Sequence, residues 1–329
     1  MTKSPNAMMH PLIIISGLPR SGTTWLGKLF DSHPRVLYRH EPDSVFPMKW
    51  LPTIIEDAGV DCAEGLREFV ALIPKMRDAK VSASQPMFAK EFLGPLRHLL
   101  AEQALRLTKL SSASGWQIKV PPFCLPQAQA DYVLAWKTIE SSGRLGCFTH
   151  ALQPLRVIHI LRHPGGITAS QLRGKRLNKF NGYDQAEDYN NFNLWLKCAV
   201  GARELQSLEQ IKAMSEVERL TWLSLVRMEK AARDIASRPD CRIVIYEDLC
   251  ARPMEILEEL LRFCELDFSA QTQKFLHAST SKTDKRYFGV FKDSAESANK
   301  WKSELEDGAL RTIQCMLAQS PLAKYWAGS

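Results

Sequence analysis

The chain has 329 residues, 45% of them hydrophobic and 24% charged, which is the balance of an ordinary globular protein. That composition excludes a disordered chain, a collagen and a coiled coil, and no apolar run approaches the roughly 20 residues of a membrane span. Subtracting 36 acidic from 43 basic residues leaves +7, spread along the chain. Such dispersed charge suits an anionic small ligand and argues against a nucleic-acid partner. The first ten residues are polar and include Pro5 and Asn6, without the apolar core of a signal peptide. The eight cysteines, from Cys62 to Cys315, show no CxxC spacing. They are expected as reduced thiols of a cytoplasmic protein, in neither a zinc site nor a disulfide.

In chain order, Leu12-Ile13-Ile14-Ile15 predicts a buried strand that stops at Gly17. After Thr23 the period becomes helical, with Trp25, Leu26, Leu29 and Phe30 on one face until Pro34. Ile118-Lys119-Val120 predicts a short strand before Pro121-Pro122. Arg156 to Leu161 is a further strand, broken by His163-Pro164-Gly165-Gly166 and followed by a helix. The stretch from Asn190 to Ser237 reads as almost wholly helical, and Arg242 to Tyr246 as a fourth strand. A helix from Pro253 to about Cys264 follows it. Short buried strands alternating with helices predict an α/β fold. The expectation is one P-loop-like domain over 1–329, with a central parallel sheet flanked by helices. Helical insertions at about 50–110 and 175–237 would form an acceptor pocket.

Gly17-Leu18-Pro19-Arg20-Ser21-Gly22-Thr23-Thr24-Trp25 joins the first strand to the first helix. Glycines let such a loop curl its N–H groups inward, and the helix N-terminus adds positive potential, so it suits a phosphate-like anion. The spacing is that of GxxxxGK[ST], but Thr23 stands where that motif has lysine and Arg20 brings the cation into the loop. Without that lysine, phosphoryl transfer from ATP is not expected.

Pro19-Arg20-Ser21-Gly22-Thr23-Thr24-Trp25 resembles the 5′-phosphosulfate loop of the sulfotransferases that use 3′-phosphoadenosine 5′-phosphosulfate (PAPS). The resemblance implies the fold of nucleotide kinases, put to the transfer of a sulfuryl group without a metal. It assigns Arg20, Ser21, Gly22, Thr23, Thr24 and Trp25 to the 5′-phosphosulfate. The stretch Arg156 to Ser170 resembles the family's 3′-phosphate motif, with Arg162 ending a strand and Ser170 eight residues on. A guanidinium and a hydroxyl at these places would hold a phosphate dianion.

Asp31 to Pro42 is similar to the HPxV segment, followed by a glutamate, of Golgi and bacterial sulfotransferases. In the protein-tyrosine branch a glutamate at this offset from the loop arginine is the base. Glu41, 21 residues after Arg20, is therefore expected to take the acceptor's proton, with His40 as the competing base and His33 structural. Trp116 to Phe123 resembles the family's KxP segment, whose KTH form places a catalytic histidine two residues after the lysine. Pro121 stands there, so no histidine mechanism is expected. Lys119 is expected to stabilise the leaving oxygen together with Arg20.

Tyr246-Glu247-Asp248-Leu249 resembles the family's YEDL segment, which places Tyr246 near the adenine; the same pattern can be read as an ATPase magnesium motif. Asn299-Lys300-Trp301-Lys302 resembles the element that closes over the cofactor, which makes Lys300 an expected phosphate contact. The resemblance thus implies a metal-independent sulfotransferase that releases 3′,5′-ADP. Its acceptor would be a hydroxyl, or an amine, of a small metabolite, lipid or sugar. The alternative is a P-loop nucleotide kinase or ATPase, against which stand the missing lysine and an arginine, not an aspartate, at position 162.

Overall fold

The computed structural model describes residues 10–56, 61–113, 118–127, 129–205, 207–281 and 294–327. The leading segment 1–9 and Trp116 lie outside the described residues. Five strands form one sheet: β1 (Leu12–Gly17), β2 (Val36–His40), β3 (Val133–Thr138), β4 (Leu155–Leu161) and β5 (Cys241–Ile245). All neighbours run parallel, in the order β2-β3-β1-β4-β5. The helices used below are α1 (Thr23–Asp31), α2 (Ala63–Leu72), α3 (Pro95–Ala113), α4 (Pro164–Arg176), α5 (Glu216–Ile235) and α6 (Pro253–Phe263).

β1 is buried throughout because both faces of a parallel sheet are covered. Leu12 and Ile14 pack into the layer that holds Leu66, Trp136 and Phe148. Ile13 and Ile15 point the other way, toward Leu26, Phe30 and Leu260. Each strand residue therefore feeds one layer or the other by the two-residue period of the pleat. α5 starts at a capping box, in which Ser215 and Glu218 exchange side-chain and backbone hydrogen bonds. Its buried side, which includes Leu225 and Met228, packs with Leu161 and Ile167. Four helices fall in 189–235, as the periodicity of that stretch predicts. No helix among the described residues is long and apolar enough to cross a membrane.

Two expectations need correction. No strand spans Ile118–Val120: Ile118 and Lys119 are exposed in a loop, and the Val120 N–H donates to the Arg77 carbonyl at 2.8 Å. The prolines that follow bring no N–H to a ladder. The central place beside β1 belongs instead to β3, a run of Val-Leu-Ala-Trp that ends in Lys137-Thr138. Nor are all cysteines thiols. Cys62, just ahead of α2, is disulfide-bonded to Cys147 (S–S 1.98 Å), because α2 and the helix Leu145–Ala151 share one apolar layer. The other six carry no disulfide, so cysteine usage does not indicate a reducing compartment.

The connection from β1 leads past β3 to β2, whereas that from β4 leads to β5. Between β1 and β4 the connections diverge, and in open α/β sheets the crevice beyond the carboxyl ends of such strands takes the ligand.

Candidate active site

A cavity of about 1580 Å³ opens at that crevice. Pro19, Arg20 and Gly22 of the loop after β1 line it, with Gly22 in the left-handed region at φ 96°. A Cβ on Gly22 would lie 2.4 Å from the Tyr246 ring, so only glycine lets the loop and this ring meet. Gly22→Ala should cost at least about 1–2 kcal/mol from backbone strain alone. It should also displace Tyr246, and a thermal melt with a midpoint unchanged from wild type would refute this reading. The first N–H groups of α1 have no partners within the helix and face the cavity mouth formed by Gly22, Thr23 and Thr24. The Ser21 hydroxyl turns inward and donates to the Leu18 carbonyl at 2.7 Å. Ser21 is fully buried and closes the turn instead of lining the cavity.

Arg20 has φ 72°, a costly conformation for a side chain with a Cβ, and its Nε donates to the Ser170 Oγ at 2.9 Å. Arg162, where β4 ends, donates from Nη1 to the Arg20 carbonyl at 2.8 Å and from Nη2 to the Ser297 carbonyl at 3.0 Å. Its guanidinium lies over the Tyr246 ring, 4.5 Å from the centroid. Its Nε is buried with no hydrogen-bond partner among the described residues. Trp25 meets the same tyrosine edge-on and donates to the Ser279 hydroxyl at 3.1 Å. Residues 150 apart in sequence, Arg20 and Ser170, are thus brought together with Arg162 beside the glycine loop.

Across the cavity stands Glu41, where β2 gives way to the short helix Pro42–Val45. Its backbone is left-handed (φ 50°), and its N–H donates to the Lys137 carbonyl at 2.9 Å. The carboxylate is 7% exposed and lies between two ammonium groups. The Lys137 Nζ donates to Oε1, and the Lys80 Nζ lies 2.8 Å from Oε2. Burial alone would raise the pKa of Glu41, but Lys137, His40 and Lys80 outweigh it and hold the group down to about 2. His40 also lines the cavity, its Nδ1 sharing a 2.8 Å hydrogen bond with the Tyr38 hydroxyl. Burial, and then the neighbouring Lys137, lower its pKa to about 3, so the ring is neutral at pH 7 and a weak base. Burial pushes the Lys137 pKa down as well.

Asp43 fixes this corner to β3. It is buried and accepts from the Trp136 Nε1 (3.2 Å), the Thr138 Oγ1 (2.5 Å) and the Ser141 Oγ (2.8 Å). The far wall comes from the helical insertions: Phe180, Tyr183, Trp195 and Arg227 from one, and Lys80 and Lys109 from the other.

Besides the buried Ser21 and Ser170, which lie behind the lining, two expected site residues are placed away from the cavity. Lys119 is exposed on its loop and does not line the cavity. Lys300 is exposed too, 3.8 Å from the Glu304 carboxylate, while its neighbour Trp301 stacks on His163 at 4.2 Å. From that segment it is Ser297 that reaches the cavity. Glu247 accepts from the His163 N–H (3.0 Å) and the Trp326 indole (3.1 Å).

The family model described as "Sulfotransferase family" matches residues 11–270, more than half of the chain. Comparison with curated protein sequences finds no match. Among solved structures, the chain resembles the sulfotransferase domain of the Synechococcus PCC 7002 olefin synthase. That likeness has 16% identity over 96% of this chain and 97% of that one, with a TM-score of 0.45. The sulfotransferase domain from the curacin biosynthetic pathway gives 14%, 94%, 98% and 0.45 in the same order. Mouse sulfotransferase SULT7A1, a structure complexed with PAP, gives 9%, 94%, 84% and 0.45.

Proposed function

Because the chain belongs to the sulfotransferase family, we propose that its cavity takes PAPS as donor and passes the sulfuryl group to a small-molecule acceptor. The acceptor atom would be a hydroxyl, or an amine, of a metabolite, lipid or sugar. One observation supports this most: Arg20 and Arg162 line the cavity beside the glycine loop, Ser170 is buried behind Arg20 and accepts from its Nε, and a carboxylate–lysine pair lines the same cavity. The donor set fits a ligand with two separate anionic groups. The loop and Arg20 form one pole, and Arg162, with its unpartnered buried Nε, stands at the edge of the other.

The donor, when bound, supplies an activated sulfuryl group on a phosphate leaving group. The N–H groups at the start of α1 and the Arg20 guanidinium bind its phosphosulfate end. Arg162 and Ser170 bind the 3′-phosphate, and Tyr246 and Trp25 provide flat apolar surface beside them. Glu41 takes the proton of the attacking acceptor. Lys137 replaces Lys119 in the role of stabilising the leaving oxygen, because it is the lysine at a strand end inside the cavity. These two roles are linked. While both lysines clamp Glu41, its pKa of about 2 makes it a poor base. When the Lys137 ammonium turns to the leaving oxygen, it releases the carboxylate and so raises its basicity at the moment a proton must be taken. The walls built by Phe180, Tyr183, Trp195 and Arg227 surround the acceptor.

Calorimetric titration tests the donor. The protein should bind 3′,5′-ADP and should bind ATP with magnesium much more weakly. The opposite preference would overturn the PAPS reading and return the loop to nucleotide-kinase chemistry.

A further inference from the structure

Among the described residues, two buried cations line the cavity, Lys137 and Arg227. Lys137 has the Glu41 carboxylate. Arg227, 8% exposed, has no carboxylate within ion-pair distance among the described residues; its partners are a carbonyl, a hydroxyl and an indole. Buried charges are ordinarily paired, because stripping water from an ion is costly and only a counter-charge offsets the cost. Elsewhere in the fold, buried Lys28 has Asp31 and buried Lys230 has Asp234. Arg39 and Arg144 are also buried without an ion pair, but neither lines the cavity. Other cations of the lining, such as Lys179 and Lys109 of α3, are not buried and keep access to water.

The guanidinium of Arg227, on α5, lies over the Trp195 ring, 5.6 Å from the centroid. Its Nε donates to the Ser142 Oγ at 3.4 Å and its Nη2 to the Ile139 carbonyl at 3.0 Å. These bonds fix one edge of the fork. They leave Nη1, with its two N–H groups, unpartnered among the described residues and open to the cavity. Glu140, also on the lining, acts on Arg227 only at longer range; it is exposed and accepts from the Ser44 hydroxyl at 3.2 Å. None of Ile139, Ser142 and Trp195 belongs to the donor site assigned to Arg20, Arg162, Ser170 and the glycine loop.

Resting on the sulfuryl-transfer reading above, we propose that Arg227 determines acceptor specificity. The acceptor is a carboxylate-bearing alcohol or amine, whose carboxylate Nη1 holds while the hydroxyl or amine meets Glu41. One free nitrogen suits a monoanion better than a phosphate dianion, which collects more donors. Ile139, whose carbonyl steadies the guanidinium, follows Lys137 by two residues, so one short piece of backbone places both the anchor and the reacting end. The span from carboxylate to nucleophile is thereby set, and acceptors are selected by length as well as by charge. A neutral acceptor would leave the guanidinium buried without a counter-ion, and sites with buried polar groups reject analogues that leave them unpaired.

The test uses ω-hydroxy carboxylates of increasing chain length, each beside its neutral amide. They are titrated calorimetrically into the full chain, with and without saturating 3′,5′-ADP. At least one acid should bind at least about tenfold more tightly than its amide, the worth of one charge-assisted hydrogen bond. Arg227→Met, similar in length but uncharged, should erase that preference, with 3′,5′-ADP bound within about twofold of wild type. Arg227→Lys keeps the charge without the fork and should keep part of the preference, a result that a misfolded variant cannot give. Acids and amides that bind alike, acids that do not bind, or a preference that survives in Arg227→Met each overturns the proposal. So does tighter binding of ω-hydroxyalkyl phosphates than of the acids, which would assign the site to a dianion. Weakened 3′,5′-ADP binding in a folded Arg227→Met would overturn it by placing the residue in the donor site. A preference for acids that depends on Arg227, in a chain that binds no 3′,5′-ADP, would sink the donor reading alone and uphold the carboxylate anchor.

Discussion

Glu41→Gln should lower turnover by about 10²–10⁴, the usual worth of a positioned base. Affinity for 3′,5′-ADP should stay within about twofold, because the proposed anion-binding residues lie across the cavity on the β1–α1 loop, the start of α1, the end of β4 and α4. Stability should fall as well. The amide leaves Lys137 buried opposite no carboxylate, and breaking a buried pair typically costs about 3–5 kcal/mol. Turnover must therefore be expressed per site titrated with 3′,5′-ADP. Near-normal turnover on that basis would remove Glu41 as the base. The pH dependence of stability has a definite sign. The folded pKa of Glu41, about 2, lies below its ordinary 4.5. Its ionised form is therefore favoured by folding, and the stabilisation is complete above pH 4.5 and lost as the pH falls toward 2. In Glu41→Gln that acid-side loss should shrink, which denaturant titrations at pH 3 and pH 7 would measure.

Lys137→Met should be nearly as damaging, for a different reason. It removes the cation assigned to the leaving oxygen, a group of the kind worth about 10²–10³ in rate. It also leaves Glu41 with Lys80, which is half exposed and holds the carboxylate less firmly. The variant should thus lose turnover while its Glu41 becomes easier to protonate, shifting the acid limb of the stability profile to higher pH. The control is Lys119→Met, expected to keep activity within about twofold because that side chain is exposed on a loop. An inactive Lys119→Met beside an active Lys137→Met would reverse the assignment.

The contrast between these lysines marks the limit of what the chain reveals before it folds. β1, β4 and β5 were legible because each is a short apolar run that stops at a turn or cap, and α1 because its apolar face has helical spacing. Arg20, Arg162 and Ser170 were legible from motif spacing, and they do meet. β2 was not, since Arg39 and His40 interrupt its apolar character. β3 carries the missed signal, an apolar run ended by Lys137-Thr138, but the two prolines after Lys119 drew the assignment to the wrong segment. What marks Lys137 as a candidate is its contact with Glu41, 96 residues away, and no local pattern encodes that. The Cys62–Cys147 bond was hidden for the same reason, being a product of two helices sharing one layer.

Asp43 ties the Glu41 corner to β3 through Trp136, Thr138 and Ser141. The Glu41 carboxylate and its lysine are consequently mounted on one stiff block, and the far wall of the cavity belongs to separate helical segments. Such a division lets selection redraw the acceptor chamber by replacing helices, with the reactive pair never leaving its mount. A chimera that exchanges 177–205 for the matching stretch of a distant relative should then change which acceptors are sulfated sooner than it changes how fast.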